Sequence, residues 1–106
     1  MASLIMVRPG RDWQSTGGLF EWTLEYLIPR LGDAKTADWL RMVVAENLGS
    51  LWIPDLPGTG QEEIYQLLRT GVVAAARAEL PDGPGKGDAL AQLRELVALT
   101  WEQNGA

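Results

Sequence analysis

Apolar residues recur at steps of three and four through most of this chain, and the exceptions lie at its start and near its middle. Phe20, Leu24, Leu27 and Leu31 form one stripe at helical spacing, with Trp22 and Tyr26 as a flanking row. This predicts a helix over residues 17–31, opened by the hydroxyls of Ser15 and Thr16 as N-caps. Pro29 lacks an N–H and its ring meets the carbonyl of Glu25, so the helix must kink or stop near Ile28. A second helix follows over 33–48, with Asp33 as N-cap and Ala37, Leu40, Val43, Val44 and Leu48 as its inner face. Asp38 and Arg41, three apart, can pair on its outside. Gly49 is the expected left-handed residue at its end.

A third helix is predicted over 60–80 from Ile64, Leu67, Leu68, Val72, Ala75, Ala76 and Leu80, and Pro81 stops it. Thr59 and Glu62 have the spacing of a capping box at its start. Gly71, followed by three alanines, implies a thin face that a neighbour can approach closely. Residues 82–88, rich in Gly and Pro, read as a linker. Asp88 would then cap a fourth helix over 89–103, buried through Leu90, Leu93, Leu96, Val97 and Trp101. Residues 103–106 should fray.

Two segments break the helical period. Leu4, Ile5, Met6 and Val7 are a short apolar run closed by Arg8, Pro9 and Gly10, a turn signal. Such a run fits a strand or a strap lying across the core, and a strap over residues 1–16 is favoured because only one other candidate strand is present to pair with it. Residues 51–58 carry Pro54 and Pro57, which push Ile53 and Leu56 into extended conformations. The expected architecture is one all-α domain of about four helices over residues 1–106, with short extended apolar segments at its start and between helices 2 and 3.

Length and composition fit that picture. A chain of 106 residues suits one core, and 46% hydrophobic with 22% charged residues is ordinary for a globular domain. Charge changes the picture more. Seven of the nine basic residues and all fourteen acidic ones follow Arg11, a balance of −7 within a net −5. That field repels phosphate backbones and argues against a nucleic-acid surface, while it suits a basic partner. The apolar start is too short for a signal peptide, and no run is long enough to span a membrane, so a cytoplasmic protein with no membrane partner is expected. The excess of Arg over Lys, with abundant Gly, Ala and Pro, points to a GC-rich bacterial source.

Candidate chemistry is sparse. The chain has no histidine and no cysteine, so the common general base, the thiol nucleophile and most metal-ligand sets are missing. Gly83, Gly85 and Gly87 around Lys86 invite a phosphate-loop reading. Leu80 stands where the first glycine of that motif belongs, and Gly87 where its Ser or Thr belongs. Glu21 and Glu25, one turn apart, could share a cation, but helical carboxylate sites draw on neighbouring histidines; a solvated face explains them. No enzyme activity, cofactor or metal is expected.

The five tryptophans are the positive signal. Trp22, Trp39 and Trp101 belong to predicted helices, whereas Trp13 and Trp52 lie in non-helical segments, and tryptophan is enriched at binding hot spots. The expected function is a non-enzymatic, acidic, Trp-rich protein-binding module, with an immunity- or antitoxin-type inhibitor of a basic protein as one form. Trp13, Trp52, Asp55, Glu21 and Glu25 are its candidate contacts, and the reading leaves room for a homodimer. The alternative is a small-molecule domain whose Trp22, Tyr26, Trp39 and Trp101 line an apolar pocket.

Overall fold

A computed structural model describes residues 2–101. The elements run β1 (Ala2–Arg8), β2 (Arg11–Thr16), α1 (Gly17–Leu27), a 3₁₀ turn (Ile28–Arg30), α2 (Ala34–Ala45), β3 (Ser50–Trp52), a second 3₁₀ turn (Ile53–Asp55), α3 (Gly58–Glu79) and α4 (Pro84–Trp101). Four helices dominate, as their spacing predicts. The domain is nevertheless not all-α, because the residues expected to be a strap form two strands, β1 and β2, and β3 from the extended segment between helices 2 and 3 joins them in a three-stranded sheet of order β2-β1-β3.

The sheet arises from two pairings. Pro9 and Gly10 make a two-residue turn in which Gly10 takes φ 79°, so Arg8 faces Arg11 and β2 folds back antiparallel on β1. The chain then passes through α1 and α2 before β3 returns parallel to β1, with Leu4 opposite Ser50, Ile5 opposite Leu51 and Met6 opposite Trp52. Side chains alternate between faces along each strand. Ile5, Val7, Trp13 and Leu51 point to the helices and are buried, and Ser3 opposite Ser15 completes that inner face.

Helix boundaries follow the local chemistry closely at some ends and depart at others. Thr16 caps α1 by accepting from the Leu19 N–H at 3.2 Å, and Pro29 converts the end of α1 to a 3₁₀ turn. Asp33 caps α2 by accepting from the Thr36 N–H at 3.0 Å. The hydroxyl and amide of Thr36, both donating to that carboxylate, hold Asp33 below the usual carboxylate range. Asp38 pairs with Arg41 at 2.8 Å. The end of α2 differs from expectation. Asn47 with φ 51° is the left-handed residue, its N–H donating to the Val44 carbonyl while that of Leu48 reaches Val43, a Schellman closure. The helix therefore stops at Ala45, and Leu48 is exposed instead of lying on the inner face. Gly49 is also left-handed, but in the loop that leads into β3.

The connection at 82–88 is likewise corrected. Pro84 opens α4, and residues 84–88 are already helical, so Asp88 is not its cap. Lys86 ties the two long helices together by donating to the Arg77 carbonyl at 2.7 Å and the Asp82 carboxylate at 2.9 Å. Along α4, Leu93, Leu96 and Thr100 are buried, whereas Trp101 is exposed. The expected end of this helix at 103 and the fraying of 103–106 lie outside the described residues.

The start of α3 is the sharpest correction. Its N-cap is Pro57, no side chain caps it, and Thr59 is exposed, so the capping box is not formed. Glu63 instead reaches across to α2, accepting from the Gly32 N–H at 3.0 Å and the Asp33 N–H at 2.8 Å. A carboxylate there satisfies amides that the helix start leaves unpaired and complements the helix dipole. Glu63→Ala should therefore cost about 1 kcal/mol in chemical denaturation, while Thr59→Ala, Glu21→Gln and Glu25→Gln should each stay within about 0.5 kcal/mol.

Two glycines of α3 set how closely its neighbours approach. A Cβ at Gly71 would collide with the hydroxyl of Tyr26, which donates to the Leu67 carbonyl at 3.3 Å, so the thin face admits a tyrosine of α1. A Cβ at Gly60 would run into the Thr36 side chain, with its Cβ and Cγ2 both at 2.9 Å. Overpacking of this kind costs about 1–3 kcal/mol, offset by the ~1 kcal/mol that alanine gains in a helix. Gly60→Ala should thus lose up to about 2 kcal/mol net, and part of that loss should return on adding Thr36→Ala, read as a non-additive thermal-melting cycle.

Candidate functional site

The inner face of the sheet is filled, so the alternate positions define its outer face. Strand register sets two rows there, Gln14–Leu4–Ser50 and Asp12–Met6–Trp52. Asp12, Gln14 and Trp52 are exposed, and Leu4 and Met6 are half-buried. None of these five lies among the described residues packed into or against the core. The outer face is thus an open platform with an apolar centre, a tryptophan on one side and a carboxylate on the other. The Gln14 amide donates to Asp12 at 3.4 Å along its acidic side.

Trp52 ends β3, and the 3₁₀ turn that follows brings Asp55 to the rim of a groove of about 330 Å³ lined also by Lys35, Trp39, Leu56 and Pro57. Trp39 and Trp52 are each 48% exposed, and Leu48 between them in sequence is exposed as well. A tryptophan leaving half its surface in water gives up about half of its burial energy, and that surface is available for a partner to cover. The chain segment from α2 through β3 thus concentrates exposed apolar surface, with Asp55 beside it.

The other candidate contacts fall elsewhere. Trp13 is 2% exposed on the inner face of β2, and its indole N–H donates to the Gln92 carbonyl of α4 at 2.7 Å. It is a core residue, not an accessible anchor. Glu21 and Glu25 are exposed on α1, and no described contact joins them to Trp52 or Asp55. The four aromatic residues expected to share a pocket do not line one among the described residues. Trp22 stacks on Tyr26 with centroids 5.9 Å apart, Trp39 borders the groove beside Asp55, and Trp101 stacks on an arginine. A hollow of about 360 Å³ lies beside Arg30, Glu62, Glu63, Gln66 and Leu67, but Glu63 is committed there to the start of α2.

One cluster is not legible in the sequence. Arg8 and Arg69 both donate to the Thr100 carbonyl near the end of α4, Arg8 at 2.9 Å, and Arg69 Nε also donates to the Thr100 hydroxyl at 3.0 Å. Arg8 lies 4.7 Å from the Tyr65 ring centroid, and Arg69 lies 3.8 Å from that of Trp101. Tyr65 beneath them donates to the Val7 carbonyl at 2.8 Å, and burial raises its phenol above the ordinary value. The one available signal is Tyr65 and Arg69 at i and i+4, which places them on one helix face. The contribution of Arg8 depends on the hairpin and has no local signature.

Among the described residues, no group of three or more acids lies close enough together to hold a metal ion, and no helix is long and apolar enough to cross a membrane. The chain matches no family model, no curated protein and no solved structure. The geometry therefore carries the functional argument alone.

Proposed function

We propose that this protein is a non-enzymatic binding module whose outer sheet face takes a basic protein partner. The observation that carries the reading is Trp52, half-exposed in register with Met6 and Asp12 on a face that contributes nothing to the core. Large rigid aromatics at the centre of a mixed apolar and polar patch are the common anchors of protein interfaces. Asp12 and Asp55 supply acid near that anchor, and the net charge of −5 would draw a basic protein toward it. An inhibitor of a basic toxin, of the immunity or antitoxin kind, is one form of this function, since blocking a basic site requires only complementary shape and charge.

The test is site-directed photocrosslinking in the cell of origin. A photoreactive residue at Gln14, on the outer sheet face, should trap one basic protein, and the same residue at Ala78, exposed on α3, should not. Equal crosslinking from both positions, or an acidic partner at Gln14, would remove this reading.

A further inference from the structure

The outer face ends at β2, and β2 is an edge strand. Among the described residues, the sheet order β2-β1-β3 leaves its far side without a strand neighbour, and it runs six residues, twice the length of β3 at the other edge. Every second residue of such a strand turns its N–H and C=O away from the sheet, which is a template for another extended chain. A trough of about 340 Å³ runs along this strand, between it and α4. Its lining is Asp12, Trp13 and Gln14 from β2 with Glu95, Ala98 and Leu99 from α4. The charged groups in that lining are both acids, Asp12 and Glu95, and both are exposed. Beside them lie the apolar surfaces of Ala98, exposed, and Leu99, half-buried, while the Trp13 side chain stays in the core.

The geometry points to β2 as a strand-addition site for an extended, lysine- or arginine-bearing segment of the basic partner. The segment's main chain pairs with β2, extending the sheet to four strands. A basic side chain lies in the trough with its stem on Ala98 and Leu99 and its charge between Asp12 and Glu95. In this binding mode main-chain hydrogen bonds supply affinity and alternate side chains supply specificity. The inference rests on the proposal that the protein binds a basic partner, and it names how that partner docks. A second copy of this chain is the competing occupant of an open edge. Two chains of net charge −5 repel one another, and the acids that line the trough would meet no bases there, so the same charges that select a basic segment disfavour a homodimer.

The experiment uses the full-length, ¹⁵N-labelled protein and a blocked nine-residue peptide of alternating lysine and threonine. Binding should shift the amides of residues 11–16 and slow their hydrogen exchange at least tenfold. Two further peptides carry backbone N-methyl groups on alternate residues, one in each frame, with charge unchanged. One frame should lose at least tenfold in affinity and the other should bind nearly as the parent does, because only alternate amides of an added strand face the sheet. The Asp12→Asn, Glu95→Gln double variant should weaken the parent peptide at least fivefold. Both positions are exposed, and an unchanged far-UV spectrum checks that the fold is intact. Equal binding of both methylated peptides, with shifts centred on Met6 and Trp52, would overturn strand addition and leave the basic-partner reading standing. Absence of any shift at millimolar peptide would also overturn it, and so would a peptide-free dimer that protects β2. The crosslinking experiment at Gln14 decides the underlying reading separately.

Discussion

Trp13→Ala should destabilise the protein by about 3–5 kcal/mol. Removing a large buried aromatic costs that much because the lost transfer energy is joined by a cavity that neighbours fill only partly. Trp13 sits between β1 and α4, opposite Ile5 in the sheet, and its N–H is hydrogen-bonded to the Gln92 carbonyl. It is the side chain through which β2 holds the last helix. Small domains have total stabilities of about 5–15 kcal/mol, so the loss is a large share of the whole. Trp13→Phe separates the two contributions. The ring then fills much of the space, the hydrogen bond is gone, and the cost should fall to about 1–3 kcal/mol. Urea denaturation followed by far-UV circular dichroism measures both. A Trp13→Ala protein as stable as wild type would mean that β2 does not dock on α4 as described.

The tryptophan that matters most for the fold looks in sequence like the one most free to bind. The reason is physical. Helical periodicity is carried by many apolar residues on one face, so α1 to α3 are legible through Phe20, Leu24, Leu40, Ile64 and Leu68. Strand periodicity in β2 has Trp13 as its single apolar member, because the other inward position is Ser15, buried against Ser3. A polar residue in the inner row erases the alternation by which strands are recognised. The parallel partner β3 is three residues long and separated from β1 by two helices, so no local signal joins them. Helix ends are legible where one residue decides them, as at Asp33 and Pro29, and misleading where the start shifts by a residue or two. Thr59 and Glu62 have the spacing of a capping box, but α3 starts before Thr59, at Gly58, behind Pro57, so Thr59 already lies inside the first turn. Of the candidate contacts, Trp52 and Asp55 can be located from the prolines around them. Their place at the margin of an open sheet face requires the sheet itself.

Trp52→Ala should lower stability by only about 1–2 kcal/mol and cost at least ~2 kcal/mol of affinity for the proposed basic partner. The first half follows from exposure. The side chain lies on the outer face, outside the core, so its removal creates no internal cavity. The second half follows if the indole is the anchor, since a hot-spot aromatic holds the formed complex together, and the change should appear mainly as a faster off-rate. Charge should act on the other rate. Raising salt from about 50 to 300 mM brings the Debye length from above ~10 Å to below ~8 Å, so the −5 protein should attract its partner less and the on-rate should fall. Asp55→Asn should flatten that salt dependence while leaving the off-rate nearly unchanged. Surface plasmon resonance with the crosslinked partner, at both salt concentrations and with each variant, resolves the two contributions. A Trp52→Ala protein that binds as tightly as wild type would move the anchor to Trp39 and the groove beside Asp55. An on-rate indifferent to salt would leave the acidic surface without a steering role.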